Sequence, residues 1–353
     1  MNIPDASSRP LVEVTRGSVV ESVHRGHVVA VDGGGRVVAR VGSPEVFTYV
    51  RSAAKPQQVL PLVTSGAAER FGLVESEIAV ACGSHNGEPA HTEAVLSLLG
   101  RAGLDASSLK CGPHEPYGEE AAAALKERGE RPSAIHNNCS GKHAAMLALA
   151  VHLGAPPDSY DRPGGPVQRE VFAAVSQFAG VPAGDLRFAV DGCGLPAFAL
   201  PLRATALMHA RLASPPPEFG GRTREACRRV VAAMLAHPEM VEGDGELDTE
   251  IMRAAGGRLV SKVGAEGVYT AAVLPSERWP RGLGLALKIE DGDRGDRARP
   301  RAAVALLRRL GLLGEDLPRA LSKLADPVIK NHRGDHVGEM RVCFGEEMMT
   351  RKE

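Results

Sequence analysis

Arg51-Ser52-Ala53-Ala54-Lys55-Pro56 is the stretch on which the reading of this chain turns. Extended, β-branched sequence runs up to it. The apolar positions Val59, Leu60 and Val63 that follow recur at helical spacing, so the stretch marks the passage from a strand region into a helix. Pro56 suits the first turn of that helix, where its missing N–H leaves no hydrogen bond unmade. A helix starting near Ser52 carries Lys55 in its first turn, and residues three apart on a helix share a face. A serine and a lysine so placed can exchange a proton. A neutral hydroxyl attacks a carbonyl poorly, and a lysine activates it only where burial or a nearby cation draws its pKa toward neutrality. Taken alone, the spacing fits a solvated lysine beside a helix-start serine equally well.

Working outward, Val12-Glu13-Val14-Thr15-Arg16 and His27 to Val31 alternate in the manner of half-buried strands. Gly33-Gly34-Gly35 separates Val28 to Val31 from Val37 to Val41 as a hairpin turn. Residues 1–10 are polar and proline-containing and are expected to fray. The middle of the chain predicts helices over 91–102, 119–128, 142–153, 167–178 and 222–236. Pro/Gly-rich connectors stand at 154–166 and 214–221, the second resembling a subdomain hinge. Past residue 257 the strand pattern returns at 258–263, 267–274 and 283–290, followed by a helix over 300–310 and a final strand over 337–344. Strands at both ends with helices between predict an α/β (α+β) domain over 11–345. Its antiparallel sheet lobe is built from about 11–50 and 257–345, and its mainly helical lobe from about 52–250. Ser52 and Lys262 then face each other across the cleft between the lobes.

With 353 residues the chain exceeds a small peptide module and can bury a sizeable core. Lys and Arg total 42 against 43 for Asp and Glu, so no overall charge bias favours nucleic acid or an anionic membrane. The basic stretch Arg294 to Arg301 lacks interleaved aromatics and reads as a solvated loop. No apolar run approaches the length of a membrane span, and the start Met1-Asn2-Ile3-Pro4-Asp5 has no basic region before an apolar core. A cytoplasmic location is expected. The six cysteines (82, 111, 139, 193, 227, 343) are scattered, which argues for reduced thiols over a disulfide framework. Cys82, Cys227 and Cys343 read as core positions.

The Ser52–Lys55 pair has company. Penicillin-recognising serine acyl enzymes use S-x-x-K, then a Ser/Asn element, then a K-T-G strand. Here the second and third elements read Ser84-His85-Asn86 and Lys262-Val263-Gly264, with His in place of Asp and Val in place of Thr. The set supports a serine–lysine acyl-transfer site without making the chain a β-lactamase. A Lys262 ammonium near Lys55 would depress the proton affinity of both. Gly264 would let a substrate backbone or carboxylate approach the strand closely. His85 and His143 stand inside the motifs as candidates to orient substrate.

Asn137-Asn138-Cys139-Ser140-Gly141-Lys142-His143 precedes an Ala/Leu helix, so Cys139 lies at a positive helix N-terminus that favours a thiolate. Val190-Asp191-Gly192-Cys193-Gly194 follows a short apolar strand and sets a second cysteine between two glycines on a tight loop. Two such loop cysteines suit zinc, or are two unrelated buried thiols. Cys-x-x-Lys is not an ordinary zinc signature, because a lysine must lose its proton to bind a metal. Asp248-Thr249 reads equally as a helix cap and as a substrate contact.

Together these runs, with Met240-Val241, Lys262-Val263-Gly264-Ala265-Glu266-Gly267 and Lys288-Ile289-Glu290-Asp291-Gly292, resemble the asparaginase II family, the cysteine-containing bacterial asparaginases of the rhizobial inducible type. The likeness spans roughly Leu11 to Glu339. It implies a fold similar to serine β-lactamases and penicillin-binding proteins, a homodimer, and hydrolysis of L-asparagine to L-aspartate and ammonia. It further implies zinc at the positions of Cys139, Lys142 and Cys193. By the same likeness Ser52 is the nucleophile, Lys55 its base, and Ser84 with Lys262 a second Ser–Lys pair. Arg51, His85, Asn86, His143, Asp191 and Gly264 are then expected around the substrate or metal. Glu246 departs from the family pattern, and its carboxylate is expected to point outward. The competing readings are a cytosolic β-lactamase-like serine esterase or peptidase, and a non-catalytic zinc-binding protein of the same fold.

Overall fold

The computed structural model describes residues 7–326, 328–345 and 348. The valine-rich N-terminal segments pair as β-branched sequence favours. They form β1 (Arg9–Arg16), β2 (Val19–Asp32) and β3 (Val37–Val41), after which short β4 (Phe47–Tyr49) leads into the Ser52 stretch. Arg9 and Pro10 already belong to β1, so the fraying expected over 1–10 does not reach them; residues 1–6 lie outside the described residues.

A 3₁₀ turn (Arg51–Ala54) precedes α1 (Lys55–Thr64), α2 (Ala67–Arg70), α3 (Glu75–Cys82), α4 (Pro89–Arg101), α5 (Glu119–Glu127), α6 (Ser140–His152) and α7 (Pro166–Ala179). After β5 (Arg187–Val190) and β6 (Pro196–Pro201) come α8 (Leu202–Ala213), α9 (Gly220–Ala236) and α10 (Leu247–Ala255). The chain then returns to the sheet through β7 (Leu259–Gly264), β8 (Val268–Val273) and β9 (Leu283–Ile289), followed by α11 (Arg299–Arg309) and α12 (Arg319–Ala325). It ends in β10 (Ile329–Lys330), β11 (His336–Gly338) and β12 (Met340–Val342).

The main sheet runs β12-β1-β2-β9-β8-β7, with β3 also paired to β2, and every pairing is antiparallel. Both ends of the chain therefore build one sheet, as the sequence pattern predicts. Period-two alternation gives each face its own core. Val28 and Ala30 pack with α11 and α12 on one side, whereas Val29 and Val31 pack with Leu202 and Ala206 of α8 on the other.

The helical lobe surrounds α6, which is buried from Ser140 to Ala150. Its small residues let neighbouring helices approach: a Cβ at Gly141 would stand 2.3 Å from the Val80 carbonyl of α3. A larger residue there would force the two helices apart.

Further features differ from the sequence reading, which also did not foresee α3, α8, α10 and α12 or the first half of β2. A second, three-stranded sheet, β4-β6-β5, lies beside the Ser52 turn. The expected strand over 337–344 is two strands, because β11 pairs with β10 while β12 pairs with β1. Cys343, expected in the core, is exposed, whereas Cys82 and Cys227 are buried; all six cysteines are free. Among the described residues no helix is long and apolar enough to cross a membrane.

Candidate active site

Ser52 sits on a strained turn. Arg51 adopts φ 54°, left-handed backbone that a non-glycine residue occupies at a cost of about 1–3 kcal/mol. Neighbouring contacts hold it there. Val50 N–H donates to the Phe198 carbonyl at 2.8 Å, and Arg51 Nη2 donates to Asp191 Oδ1 at 2.8 Å. A Cβ at Gly264 would meet the Val50 carbonyl at 2.8 Å. The space that Gly264 was expected to leave for a substrate is thus filled by the chain's own backbone, and the glycine lets β7 pack against the Ser52 turn. Ser52 itself is half-buried.

Lys55 is fully buried at the start of α1. Its Nζ contacts the Gly83 carbonyl at 2.5 Å, the Asn138 carbonyl at 3.2 Å and Ser84 Oγ at 2.9 Å; Ser52 is not among these partners. Burial lowers its pKa to about 8, helped by the Lys142 and Lys262 cations and opposed by the Cys139 thiolate. Ser84 is fixed through its own backbone, whose N–H donates to the Val241 carbonyl at 2.7 Å.

The expected pairing of Ser84 with Lys262 is replaced by another. Lys262 Nζ, on β7, lies 2.7 Å from Asp248 Oδ2 at the start of α10, and both side chains are essentially without solvent contact. The same carboxylate accepts from Ser261 Oγ at 2.8 Å and from Val263 N–H at 2.9 Å. The competition between cap and substrate contact at Asp248 is resolved in favour of neither, because the carboxylate is spent on β7. Glu242 Oε2 accepts from the Asp248 N–H at 2.8 Å. Burial, with Asp248 beside it, pushes the Glu242 carboxyl up to about 8.

Cys139, Lys142 and Cys193 converge next to Lys55. Lys142 Nζ stands 3.5 Å from Cys193 Sγ. Cys139 hydrogen-bonds Cys193, which holds the Cys139 thiol well below its ordinary range, with the Lys55 and Lys142 cations assisting; Cys193 is raised. Among the described residues no three His, Cys, Asp or Glu side chains form a metal cluster. Two sulfurs and a buried amine nevertheless make a donor set that zinc accepts once the protons leave.

The remaining candidates divide. His85 is fully buried: its Nδ1 accepts from Gly87 N–H at 3.1 Å and Nε2 bonds Ser140 Oγ at 2.9 Å. Neither ring nitrogen is left for a substrate, so His85 fixes the loop between Ser84 and Asn86. His143 Nδ1 is 2.7 Å from the Tyr160 hydroxyl, which accepts from Lys110 N–H, while its buried Nε2 has no partner among the described residues. Asn86 Nδ2 donates to Glu246 Oε1 at 3.1 Å. The half-buried Glu246 carboxylate thus engages the Asn86 amide. The sequence reading missed Glu242 and Tyr160 altogether, and for Asp248 it lacked the partner.

A buried lysine amine within hydrogen-bond reach of a serine hydroxyl is an arrangement able to activate that hydroxyl as a nucleophile. The chain belongs to the L-asparaginase II family, whose model matches residues 12–342. No curated protein matches the chain by sequence. Solved structures with a similar course include Mglu in its L-glutamate binding form in the presence of 4.3 M NaCl, at 16% identity, covering 90% of this chain and 68% of that one with a TM-score of 0.46. Mglu in its glutamate form shares 16% identity over 83% of this chain, with a TM-score of 0.43, and the chain spans only 62% of its length. The covalent complex between the Bacillus subtilis glutaminase YbgJ and 5-oxo-L-norleucine shares 14% identity over 75% of this chain and 79% of that one, with a TM-score of 0.34.

Proposed function

We propose that this protein is an amidohydrolase that cleaves L-asparagine to L-aspartate and ammonia through a serine acyl-enzyme. Family membership over residues 12–342 supports the reaction class. The observation that carries the mechanism is the buried Lys55 amine with a pKa near 8. Neutral Lys55 takes a serine proton as the hydroxyl attacks the side-chain amide carbon, and backbone N–H groups near the Ser52 turn stabilise the oxyanion. The resulting ammonium returns its proton to the departing ammonia. Water then resolves the ester by the same route in reverse order. Ser52, half-buried on its strained turn, is the nucleophile in this reading.

One observation favours a second assignment within the same chemistry. The Gly83 and Asn138 carbonyls take two hydrogens of the Lys55 amine. In the neutral amine the lone pair is left facing Ser84 Oγ, so Ser84 either relays the proton or attacks directly. Trapping the acylated serine and mapping the modified peptide separates the two.

Zinc would be held by Cys139, Lys142 and Cys193, and when bound would supply Lewis acidity at its open coordination position. The serine, lysine and backbone steps above belong to the chain itself. Arg51 and Asp191 set the charge at the mouth beside Ser52 and are the residues proposed to read the amino-acid head group. One methylene separates asparagine from glutamine, a difference worth about 1–3 kcal/mol in a fitted pocket. Ammonia release from both amides, before and after chelation and zinc re-addition, tests the reading. Release from asparagine supports it; nitrocefin turnover without amide hydrolysis replaces it with the esterase alternative.

A further inference from the structure

We infer that the free edge of β5 pairs with the β5 of a second copy of this chain, antiparallel about Ala189, and so brings the partner's Arg187 onto Asp191 at the mouth of the site. The meaning of that contact for substrate rests on the reading of Arg51 and Asp191 given above; the pairing does not.

β5 forms one edge of the small sheet, with β6 beside it and no strand beyond it among the described residues. Its ladder phase is fixed by the Asp191 N–H, which donates to the Leu195 carbonyl at 2.8 Å and continues the register that opposes Val190 to Pro196. Asp191, Ala189 and Arg187 therefore turn their backbone groups toward β6, and those of Phe188 and Val190 point away from the sheet. Both side chains are exposed, Phe188 at 43% and Val190 at 74%. Edges that must stay single are blunted by lysine, proline or a bulge. β5 carries none of these, and its register with β6 is unbroken. Aromatic rings hold the strand in place. The Arg187 guanidinium lies 5.0 Å from the Phe47 ring, and Phe188 meets Phe172 edge-on with centroids 5.0 Å apart.

Arg187-Phe188-Ala189-Val190-Asp191 is complementary to itself. A two-fold axis through Ala189 sets Phe188 opposite the partner's Val190 and Arg187 opposite the partner's Asp191, each twice. Aromatic–β-branched and opposite-charge pairs are those that stabilise antiparallel neighbours. The same register joins the outward backbone groups of Phe188 and Val190 in hydrogen-bonded pairs and leaves Ala189 in a non-hydrogen-bonded one. Sliding by two residues keeps the hydrogen bonds but moves Arg187 off the partner's Asp191; sliding by one sets outward groups against inward ones. A two-fold contact uses the same edge on both copies and so closes at two. Asp191 can receive the second cation. Arg51 Nη2 at 2.8 Å and the Gly192 N–H at 2.7 Å both fall on Oδ1, and Oδ2 has no bond among the described residues. The partner's Arg187 then holds from outside the carboxylate that Arg51 holds from inside, which makes Arg187 a positioning residue for the head-group contacts.

Cross-linking reads the register directly. The background is Cys343→Ser, which lacks the exposed native thiol. In it, Ala189→Cys, Val190→Cys and an equal mixture of Arg187→Cys with Asp191→Cys are treated with diamide, which takes up two thiol hydrogens for each disulfide formed. Cα atoms of a non-hydrogen-bonded pair stand about 4.5 Å apart, within disulfide reach, whereas the two copies of Val190 lie on a diagonal at about 7–8 Å. Ala189→Cys and the mixture are expected to form covalent dimers about tenfold faster than Val190→Cys. In sedimentation at micromolar concentration the wild type is expected to be a dimer and Val190→Asp a monomer. A monomeric wild type overturns the pairing, as does cross-linking that is fastest in Val190→Cys or absent throughout. Where the protein stays dimeric, Arg187→Ala is expected to raise KM for asparagine about tenfold with kcat little changed, and Arg187→Lys to restore part of it. An unaltered KM removes Arg187 from the mouth. A wild type without ammonia release, but cross-linked as expected, loses the asparagine reading and keeps the pairing with its contact between Arg187 and Asp191.

Discussion

Lys55 Nζ lies 2.9 Å from the hydroxyl of Ser84, 29 residues further along the chain, whereas its helix neighbour Ser52 meets Lys55 through the backbone, its carbonyl accepting the Lys55 N–H. The S-x-x-K motif thus supplies the lysine, but a separate loop supplies the serine hydroxyl that touches its amine. Ser84→Ala is expected to lower kcat by about 10²–10⁴, the range for loss of a proton-transfer partner. The fold should hold, since Lys55 keeps its two carbonyl acceptors. Steady-state ammonia release with circular dichroism checks both halves.

The pH profile follows from the same amine. Lys55 accepts a proton only when neutral, and its pKa is lowered from 10.5 to about 8. The logarithm of kcat/KM should therefore climb with pH through a midpoint near 8 and level off above it. A profile flat from pH 6 to 9 would remove Lys55 as the base.

Glu242 governs stability in the opposite sense. Its pKa rises from 4.5 in the unfolded reference to about 8 in the folded protein, because burial beside Asp248 favours the neutral acid. The folded state binds a proton that the unfolded chain has released, so this contribution is full below pH 4.5 and is lost as pH rises toward 8. Glu242→Gln should remove that slope. Urea unfolding of both proteins across this interval measures it.

Gly264→Ala tests how the Ser52 turn is held. The new methyl would lie 2.8 Å from the Val50 carbonyl and 3.0 Å from the Val268 Cβ, so backbone must shift to admit it. A loss of about 1–3 kcal/mol is expected, as for overpacking elsewhere. A fall in kcat should accompany it, because Val50 precedes the turn that carries Ser52. Denaturant unfolding and turnover of the folded fraction would show the two effects together.

Much of this organisation is legible in the sequence, for physical reasons. The second half of β2 and β9 read clearly as apolar runs, but the half-buried alternation expected at His27 to Val31 does not hold: a sheet covered on both faces buries every position, and the neighbours Val28 and Val29 enter different cores. The chemistry-bearing loops read clearly because Cys139 and Cys193 stand at turns rather than inside regular elements. The small sheet was legible in part: the short apolar strand before Asp191 is β5, but its pairing with β6 and the joining of β6 to β4 leave no local pattern, since all four residues of β5 are exposed. The Asp248–Lys262 pair was hidden because it joins a helix start to a strand, and no local spacing encodes that meeting. His85 looked available because a motif shows which residues are near one another and not which nitrogens are already bonded. Gly264 shows the same limit: its small size was evident, but only the packing reveals that Val50 occupies the space.

The most direct test of the account is to quench turnover of L-asparagine rapidly and weigh the intact protein, then map the modified peptide. The account predicts a transient aspartyl ester, confined to the Ser52 or Ser84 peptide and absent in Lys55→Met. Steady release of ammonia by a protein that never carries an ester on either serine would contradict it.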